Sequence, residues 1–328
     1  MPQKKLVVVL PENSNPPPGI ADAEAFARTV TATTAADATR ELRDAQALLL
    51  WDFSSAVIRD NPLPPQLEWI HTASLGVDAV LTKEVVASNV VVTNSRSVFE
   101  RPIAEYVLGL ILAIAKDFRR TFKNQDGKRW EWRPTHLIDG QTAILIGPGA
   151  VGREIYRLLT ATGMTVLSVG RQAIDADHEL GRVYSAADLD ELLPKADSVV
   201  LALPLTSATR GFMSASRFAK MKPGATFINI GRGALVDEPA LIDALERGRV
   251  GTAALDVFVR EPLPQDHRLW ELSNVIVSPH MSGDTYGFEE RLAAQFMTNL
   301  QRWCTGQPLI NVVNKHKLSA GARDSAEP

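Results

Sequence analysis

The chain has 328 residues, enough for two domains, and its hydrophobic fraction of 45% and charged fraction of 22% are those of an ordinary globular protein. The formal net charge of −3 gives no electrostatic reason to expect a nucleic acid or an anionic membrane as a partner. The single cysteine, Cys304, excludes an intramolecular disulfide and a zinc site built on cysteines, and it fits a reducing, cytoplasmic setting.

Short apolar runs alternate with helical segments in the first hundred residues. The first run, Leu6–Leu10, stops at Pro11 and is too short for an export signal, so we interpret it as a buried strand. No run approaches the ~20 apolar residues of a membrane span. The alternation of apolar runs and helical segments predicts a parallel sheet with helices on its faces. Further strands are predicted at 47–50, 67–71 and 90–93, and helical or turn segments at 21–29 and 82–87.

The longest helical pattern runs from Pro102 to about Thr121, and residues 122–135 follow it as a polar connector. Pro102 suits the first turn of that helix. A second series of strands then begins, and its pattern is typical of a doubly wound sheet. These strands are predicted at 142–146, 165–169, 198–203, 226–230, 253–257 and 275–277, before a last helix at 288–305 and a disordered tail at 315–328.

A G-x-G-x-x-G motif, formed by residues 147–152, directly follows a predicted strand and opens a helix. In that context Gly147 makes the tight turn, Gly149 lets a pyrophosphate approach the backbone, and Gly152 allows close helix–strand packing. Ala150 and Val151 start the helix, whose N terminus favours phosphate. The alternative is a glycine-rich turn with no ligand. Leu203, Pro204 and Ile230, at predicted strand ends nearby, are further candidate cofactor contacts.

The end of the next strand bears on the choice of cofactor. NAD-binding units usually place a carboxylate there for the ribose 2′-hydroxyl, whereas this chain has Gly170 and Arg171. An arginine can hold a 2′-phosphate through paired, charge-assisted hydrogen bonds, so the sequence favours NADP over NAD. NAD remains possible if Arg171 is a solvated surface residue.

Three residues with matching chemistry lie at or just beyond strand ends: Arg232, Glu261 and His280. Ligands of open α/β sheets bind outside the carboxyl ends of the strands, so these side chains are predicted to converge. Hydride addition to a ketone needs a proton donor near neutral pKa, which histidine supplies, and a carboxylate would orient the ring and favour the imidazolium. An arginine can clamp the carboxylate of a 2-keto acid. Singly, each residue is more often structural than functional.

In these residues the chain resembles the D-isomer-specific 2-hydroxyacid dehydrogenases, from about residue 45 to 310. The resemblance rests on the segments 147–152, 229–233, 255–258 with 261–263, and 278–280. It implies an α/β fold in which a Rossmann cofactor domain, 99–282, is inserted in a flavodoxin-like substrate domain, 1–98 and 283–314. It also implies a homodimer, a product of D configuration and no metal.

The resemblance assigns roles to individual residues. The catalytic arginine, glutamate and histidine of the family fall on Arg232, Glu261 and His280, and its nicotinamide-amide contact falls on Asp256. Residues 72–78 look like the family's substrate loop, in which the N–H groups of Leu75 and Gly76 would bind the substrate carboxylate. The alternative for this loop is a simple strand-to-helix turn. Trp51 matches a pocket tryptophan of one branch, or else it packs in the core.

The pattern is closest to the NADP-preferring glyoxylate and hydroxypyruvate reductases of the family. Residues 281–284 and 97–101 depart from the usual pattern, which leaves the identity of the keto acid open. Two other functions stay open at this point. One is phosphite oxidation on the same fold, and the other is a nucleotide-sensing corepressor that binds protein partners.

Overall fold

A computed structural model describes residues 3–52 and 55–315. The predicted disordered tail, apart from Lys315, therefore lies outside the described residues. The described residues form the strands β1 Lys5–Val9, β2 Arg28–Ala32, β3 Ala47–Leu50, β4 Trp69–Thr72, β5 Val91–Asn94, β6 Thr142–Ile146, β7 Thr165–Gly170, β8 Ile174–Asp177, β9 Gly181–Ser185, β10 Ser198–Leu201, β11 Ala225–Asn229, β12 Val250–Leu255 and β13 Val275–Val277. The helices are α1 Ala35–Leu42, α2 Val57–Asp60, α3 Lys83–Ala87, α4 Glu100–Ala115, α5 Phe118–Asp126, α6 Ala150–Ala161, α7 Leu189–Leu192, α8 Ala215–Lys220, α9 Glu238–Glu246 and α10 Phe288–Cys304.

The chain divides into two compact units. The first contains the residues up to Phe99 and those from Thr285 onwards, and the second contains Glu100–Asp284. The first unit holds a parallel sheet in the order β2-β1-β3-β4-β5, which is the order of flavodoxin-like folds. Each residue of β1, β3 and β4 is buried, as expected for strands covered on both faces.

The second unit holds a sheet in the order β13-β12-β11-β10-β6-β7-β9-β8. From β9 to β12 this is the doubly wound 3-2-1-4-5-6 order, whose direction reverses between β6 and β10. Alternate residues of β6 enter two different cores: Ile144 and Ile146 pack in a cluster with residues of α8 and α9, and Leu145 packs with residues of α4 and α6. The predicted α/β fold, with a Rossmann-like unit and a second sheet unit, is confirmed.

Two parts of the first hundred and thirty residues differ from the prediction. Residues 21–29 were predicted to be helical, but only a 3₁₀ helix, Ile20–Ala25, forms, and β2 begins at Arg28. The long helix predicted from Pro102 breaks after Ala115, and α5 then covers part of the predicted connector. At the break Asp117 is left-handed, with φ 49°, and Arg133 binds both its carboxylate and its carbonyl oxygen, each at 2.7 Å.

The antiparallel pair β8 and β9 was also not predicted. Its strands are largely exposed and polar, so they lack an apolar pattern. Arg153 on α6 forms two hydrogen bonds with the Asp177 carboxylate, of 2.7 and 2.6 Å, and this paired contact holds the end of β8 against the helix. No helix in the described part of the chain has the length and apolarity to cross a bilayer.

His71 on β4 is a fully buried histidine whose surroundings favour its neutral form. Its Nδ1 lies 2.8 Å from Thr93 Oγ1, and its ring packs against Trp69 and Phe296. Burial lowers the pKa of His71 from 6.5 to about 3. Because the unfolded chain takes up this proton near pH 6.5 and the folded chain does not, the free energy of unfolding falls as pH drops from about 6.5 towards 3.

We therefore expect His71 to reduce the free energy of unfolding by roughly 1.4 kcal/mol for each pH unit below about 6.5. Urea unfolding of the wild type and of His71→Asn at pH 7 and pH 5 tests this, because the other titrating groups are common to both proteins. The variant should lose stability at pH 7, and its deficit should shrink by about 2 kcal/mol at pH 5. A deficit of the same size at both pH values would contradict the expectation.

Candidate active site

The glycine-rich segment after β6 is shaped to accept a dinucleotide. Gly147 has φ 109°, and a Cβ there would lie 2.5 Å from the Ala202 carbonyl oxygen. A Cβ on Gly152 would lie 2.2 Å from the Gly147 carbonyl oxygen. Among residues 3–52 and 55–315, only atoms of Gly149 and its chain neighbours lie within 4 Å of the position that a Cβ on Gly149 would take. No side chain of these residues caps the start of α6. The open space and the uncapped helix N terminus fit a bound pyrophosphate.

The end of β7 carries Gly170 and Arg171, the two residues that bear on the choice of cofactor. Gly170 is buried, and a Cβ on it would lie 3.2 Å from both Pro148 Cγ and Val183 Cγ1, so the strand end has little room for a side chain. Arg171 follows it and is exposed. Of the other candidate contacts, Leu203 is half-buried, Pro204 is exposed and Ile230 is buried.

Glu261 and His280 meet at the carboxyl end of the second sheet. His280 Nδ1 lies 2.7 Å from Glu261 Oε2, and Glu261 Oε1 accepts a 2.8 Å hydrogen bond from the Phe258 N–H. Burial raises the pKa of Glu261, but these hydrogen bonds and the positive charges of His280 and Arg232 outweigh it, so the pKa lies below its usual range. Glu261 is therefore an anion at neutral pH, placed to fix the orientation of the imidazole ring.

Arg232 follows β11 in a loop that has little freedom to move. Asn229 holds this loop from within, since its Oδ1 accepts from the Gly231 N–H at 3.1 Å and its Nδ2 donates to the Arg232 carbonyl oxygen at 3.0 Å. On the other side of Arg232, a Cβ on Gly233 would lie 1.9 Å from the Phe258 carbonyl carbon. The backbones of the Arg232 and Glu261 loops are thus in direct contact.

The second unit therefore contains the three predicted reactive residues and the dinucleotide motif. Residues 108–282 match the family described as D-isomer specific 2-hydroxyacid dehydrogenase, NAD binding domain. The chain belongs to this family. It is accordingly an NAD(P)-dependent oxidoreductase of 2-hydroxy acids, as the sequence predicted.

Relatives and solved structures of the dehydrogenase family match most of the chain. A glyoxylate reductase of Thermofilum pendens is 33% identical over 288 residues, which are 85% of this chain and 84% of that protein. Glyoxylate/hydroxypyruvate reductase B of Pectobacterium atrosepticum is 34% identical over 262 residues, with 77% and 81% covered. The crystal structure of an NADPH-dependent glyoxylate/hydroxypyruvate reductase from Sinorhizobium meliloti, in complex with NADP and sulfate, superimposes with a TM-score of 0.79 at 28% identity and covers 95% of this chain and 99% of that one.

Asp256 of the dehydrogenase is fully buried, and both of its carboxylate oxygens are engaged. Oδ1 accepts from Ser278 Oγ at 2.7 Å and from the Met281 N–H at 3.0 Å, and Oδ2 accepts from the Ser282 N–H at 2.9 Å. These residues flank His280, whose φ of 51° is left-handed. Asp256 therefore holds the loop that carries the histidine. Its contact with a nicotinamide amide stays a prediction.

The predicted substrate-binding residues of the dehydrogenase other than Arg232 lie in its first unit. Leu75 and Gly76 follow β4 in a half-buried loop. Trp51 follows β3, is half-buried, and donates its backbone N–H to the Val9 carbonyl oxygen at 3.0 Å. The role of Asn229 in holding the loop was not predicted. An asparagine two residues before Gly231 was the available signal, because asparagine often bonds the backbone of its own turn.

Proposed function

We propose that the chain is an NADPH-dependent reductase of a short 2-keto acid such as glyoxylate or hydroxypyruvate. It forms the 2-hydroxy acid, with D configuration where C2 becomes a stereocentre, as it does with hydroxypyruvate. The observation that carries the proposal is the 2.7 Å contact between Glu261 and His280 in the same unit as Arg232 and the dinucleotide motif. The printed names of the relatives support the substrate class, and the exposed Arg171 at the end of β7 supports NADPH.

In this proposal each reactive side chain has one task. NADPH, when bound along residues 147–152, supplies the hydride. The His280 imidazolium donates a proton to the carbonyl oxygen of the substrate as that oxygen gains negative charge. Glu261 stabilises the charged ring before the transfer and orients it. The Arg232 guanidinium binds the substrate carboxylate and polarises the carbonyl group. In the first unit, the N–H groups of Leu75 and Gly76 are a second candidate site for a substrate carboxylate.

A spectrophotometric screen tests the proposal by following absorbance at the NADPH band with glyoxylate, hydroxypyruvate and pyruvate, each with NADPH and NADH. We expect turnover of at least one short keto acid, with a higher kcat/KM for NADPH. Chiral chromatography of the glycerate formed from hydroxypyruvate should show the D isomer. No keto-acid turnover, with phosphite oxidised instead, would assign the alternative dehydrogenase reaction. Dinucleotide binding without any turnover would favour a sensing protein.

Arg171→Ser is expected to raise KM for NADPH about 10- to 100-fold and to leave KM for NADH nearly unchanged, because a charged hydrogen bond to the 2′-phosphate is lost. Arg182→Ser is the matched control, since Arg182 is an exposed arginine of the neighbouring strand that stacks on Tyr184. Steady-state kinetics with both cofactors provides the measurement. Equal losses for NADPH and NADH, or equal effects of the two variants, would remove Arg171 from the cofactor site.

We further propose a cytoplasmic homodimer built on the second unit. Phe118, Phe122, Trp130 and Trp132 are exposed within one short segment of that unit, which supports its burial against a second copy. Sedimentation velocity should give twice the mass of the chain. A Trp130→Ser, Trp132→Ser double variant should shift the protein towards monomer, and a monomeric wild type would refute the assembly.

A further inference from the structure

We propose that Asn94 is a positioning residue for the substrate carboxylate. With the backbone of Ser95, it orients the N–H groups of Leu75 and Gly76, and this inference rests on the function proposed above. Asn94 is the last residue of β5, and Ser95 follows it. Strand β5 pairs with β4, and Asn94 lies opposite Thr72. The loop after β4 therefore passes directly beside them.

Successive carbonyl groups of this loop are held by hydrogen bonds. The Ser74 carbonyl accepts from the Ser95 N–H at 3.0 Å, and the Leu75 carbonyl accepts from Asn94 Nδ2 at 2.8 Å. The Gly76 carbonyl accepts from Ser74 Oγ at 2.7 Å. Three consecutive peptide oxygens are thus fixed by donors of the protein itself.

Fixing these oxygens also fixes the N–H groups that the substrate would meet. A trans peptide group is planar, and its C=O and N–H point in opposite directions. The Ser74 carbonyl shares its plane with the Leu75 N–H, and the Leu75 carbonyl shares its plane with the Gly76 N–H. Within residues 3–52 and 55–315 neither of these N–H groups donates a hydrogen bond. The two N–H groups are adjacent donors, and the hydrogen bonds to the carbonyl oxygens of the same peptide groups fix their direction. A pair of adjacent backbone N–H groups is an arrangement that can bind a carboxylate.

The side chain of Asn94 is a poor choice for packing alone. The residue is buried, with 6% exposure, and its Oδ1 is a buried acceptor that has no partner among the described residues. A buried polar atom left unbonded opposes folding, and an apolar side chain would avoid that cost. What the asparagine side chain contributes is the hydrogen bond from its Nδ2 to the Leu75 carbonyl oxygen. Because Asn94 is buried behind the loop, it acts through Leu75 and Gly76 and does not itself contact the substrate.

Kinetics of three variants test the assignment. Asn94→Ala removes the bond to the Leu75 carbonyl, and we expect KM for glyoxylate to rise about tenfold, with kcat and KM for NADPH within about twofold of wild type. Asn94→Asp should raise KM further, because a carboxylate repels both the Leu75 carbonyl and the anionic substrate. Asn299→Ala is the matched control. It removes another buried asparagine of the first unit, one whose side chain bonds the Ile310 backbone at 3.0 and 2.9 Å, so KM should not change.

Thermal melting of each variant separates positioning from general destabilisation, and assays are run at least 10 °C below the lowest midpoint. The proposal is overturned if Asn94→Ala leaves KM for glyoxylate within twofold of wild type, or if Asn299→Ala raises it equally. A rise in Asn94→Asp alone would also overturn it, because charge would then suffice as the cause. If the wild type reduces no keto acid, the proposed function fails first, and that result is distinct from unchanged kinetics of the Asn94 variants.

Discussion

His280→Ala is expected to lower kcat/KM for keto-acid reduction by roughly 10²- to 10⁴-fold, the usual contribution of a general acid. NADPH binding should stay within about twofold, because the glycine-rich segment that would bind the pyrophosphate is unchanged. Stopped-flow reduction and NADPH fluorescence titration measure the two quantities. His178→Ala is the control, since His178 is an exposed histidine of the same unit.

Glu261→Gln completes the test of the pair. The amide oxygen can still accept from the Phe258 N–H, but the negative charge beside the imidazole is lost. kcat/KM for keto-acid reduction should therefore fall, because the positive charge of the proton donor loses its ionic partner. In the wild type the pKa of Glu261 lies below its usual range, so protonation of Glu261 lowers the rate only in acidic solution. Full activity of His280→Ala or of Glu261→Gln would refute the mechanism.

Arg232→Leu is expected to reduce kcat/KM by about 10²- to 10³-fold, because one preorganised donor set for the carboxylate and the carbonyl oxygen is removed. Arg232→Lys should recover part of the loss, since it keeps the charge but not the forked geometry. Arg260→Leu removes an exposed charge one residue from Glu261 and controls for the general field of the site.

Substrate saturation curves with glyoxylate at fixed NADPH separate the contributions of Arg232. An increase in KM larger than the fall in kcat would indicate binding of the carboxylate, and equal loss of kcat and kcat/KM would indicate a contact made in the transition state. A wild-type value of kcat/KM in Arg232→Leu would show that the guanidinium has no part in the reaction.

The sequence predicted which side chains converge better than it predicted the edges of the fold. Glu261 and His280 were expected to converge because strands of a doubly wound sheet end at a common edge, and they are 2.7 Å apart. By contrast, β2 is an edge strand with mixed exposure, and no apolar pattern separated it from the alanine-rich segment before it. The break at Asp117 depends on Arg133, sixteen residues away, so local propensity could not locate it.

Hydrogen bonds that support the site were harder still to foresee. The full engagement of Asp256 by Ser278, Met281 and Ser282 requires the loop after β13 to fold back over the end of β12. The bond from Asn94 to the Leu75 carbonyl likewise depends on the register of β4 and β5. Such contacts join residues that are adjacent only in three dimensions, so residue type and spacing carry no signal for them.

The contact between Gly233 and the Phe258 backbone has a consequence for laboratory evolution of this enzyme. Since a Cβ on Gly233 would lie 1.9 Å from the Phe258 carbonyl carbon, neither segment can gain bulk without displacing the other. Libraries that randomise residues 231–233 alone should yield mostly inactive clones. Active clones with a new residue at position 233 should carry compensating changes at 257–260, and deep sequencing of paired libraries would reveal that covariation.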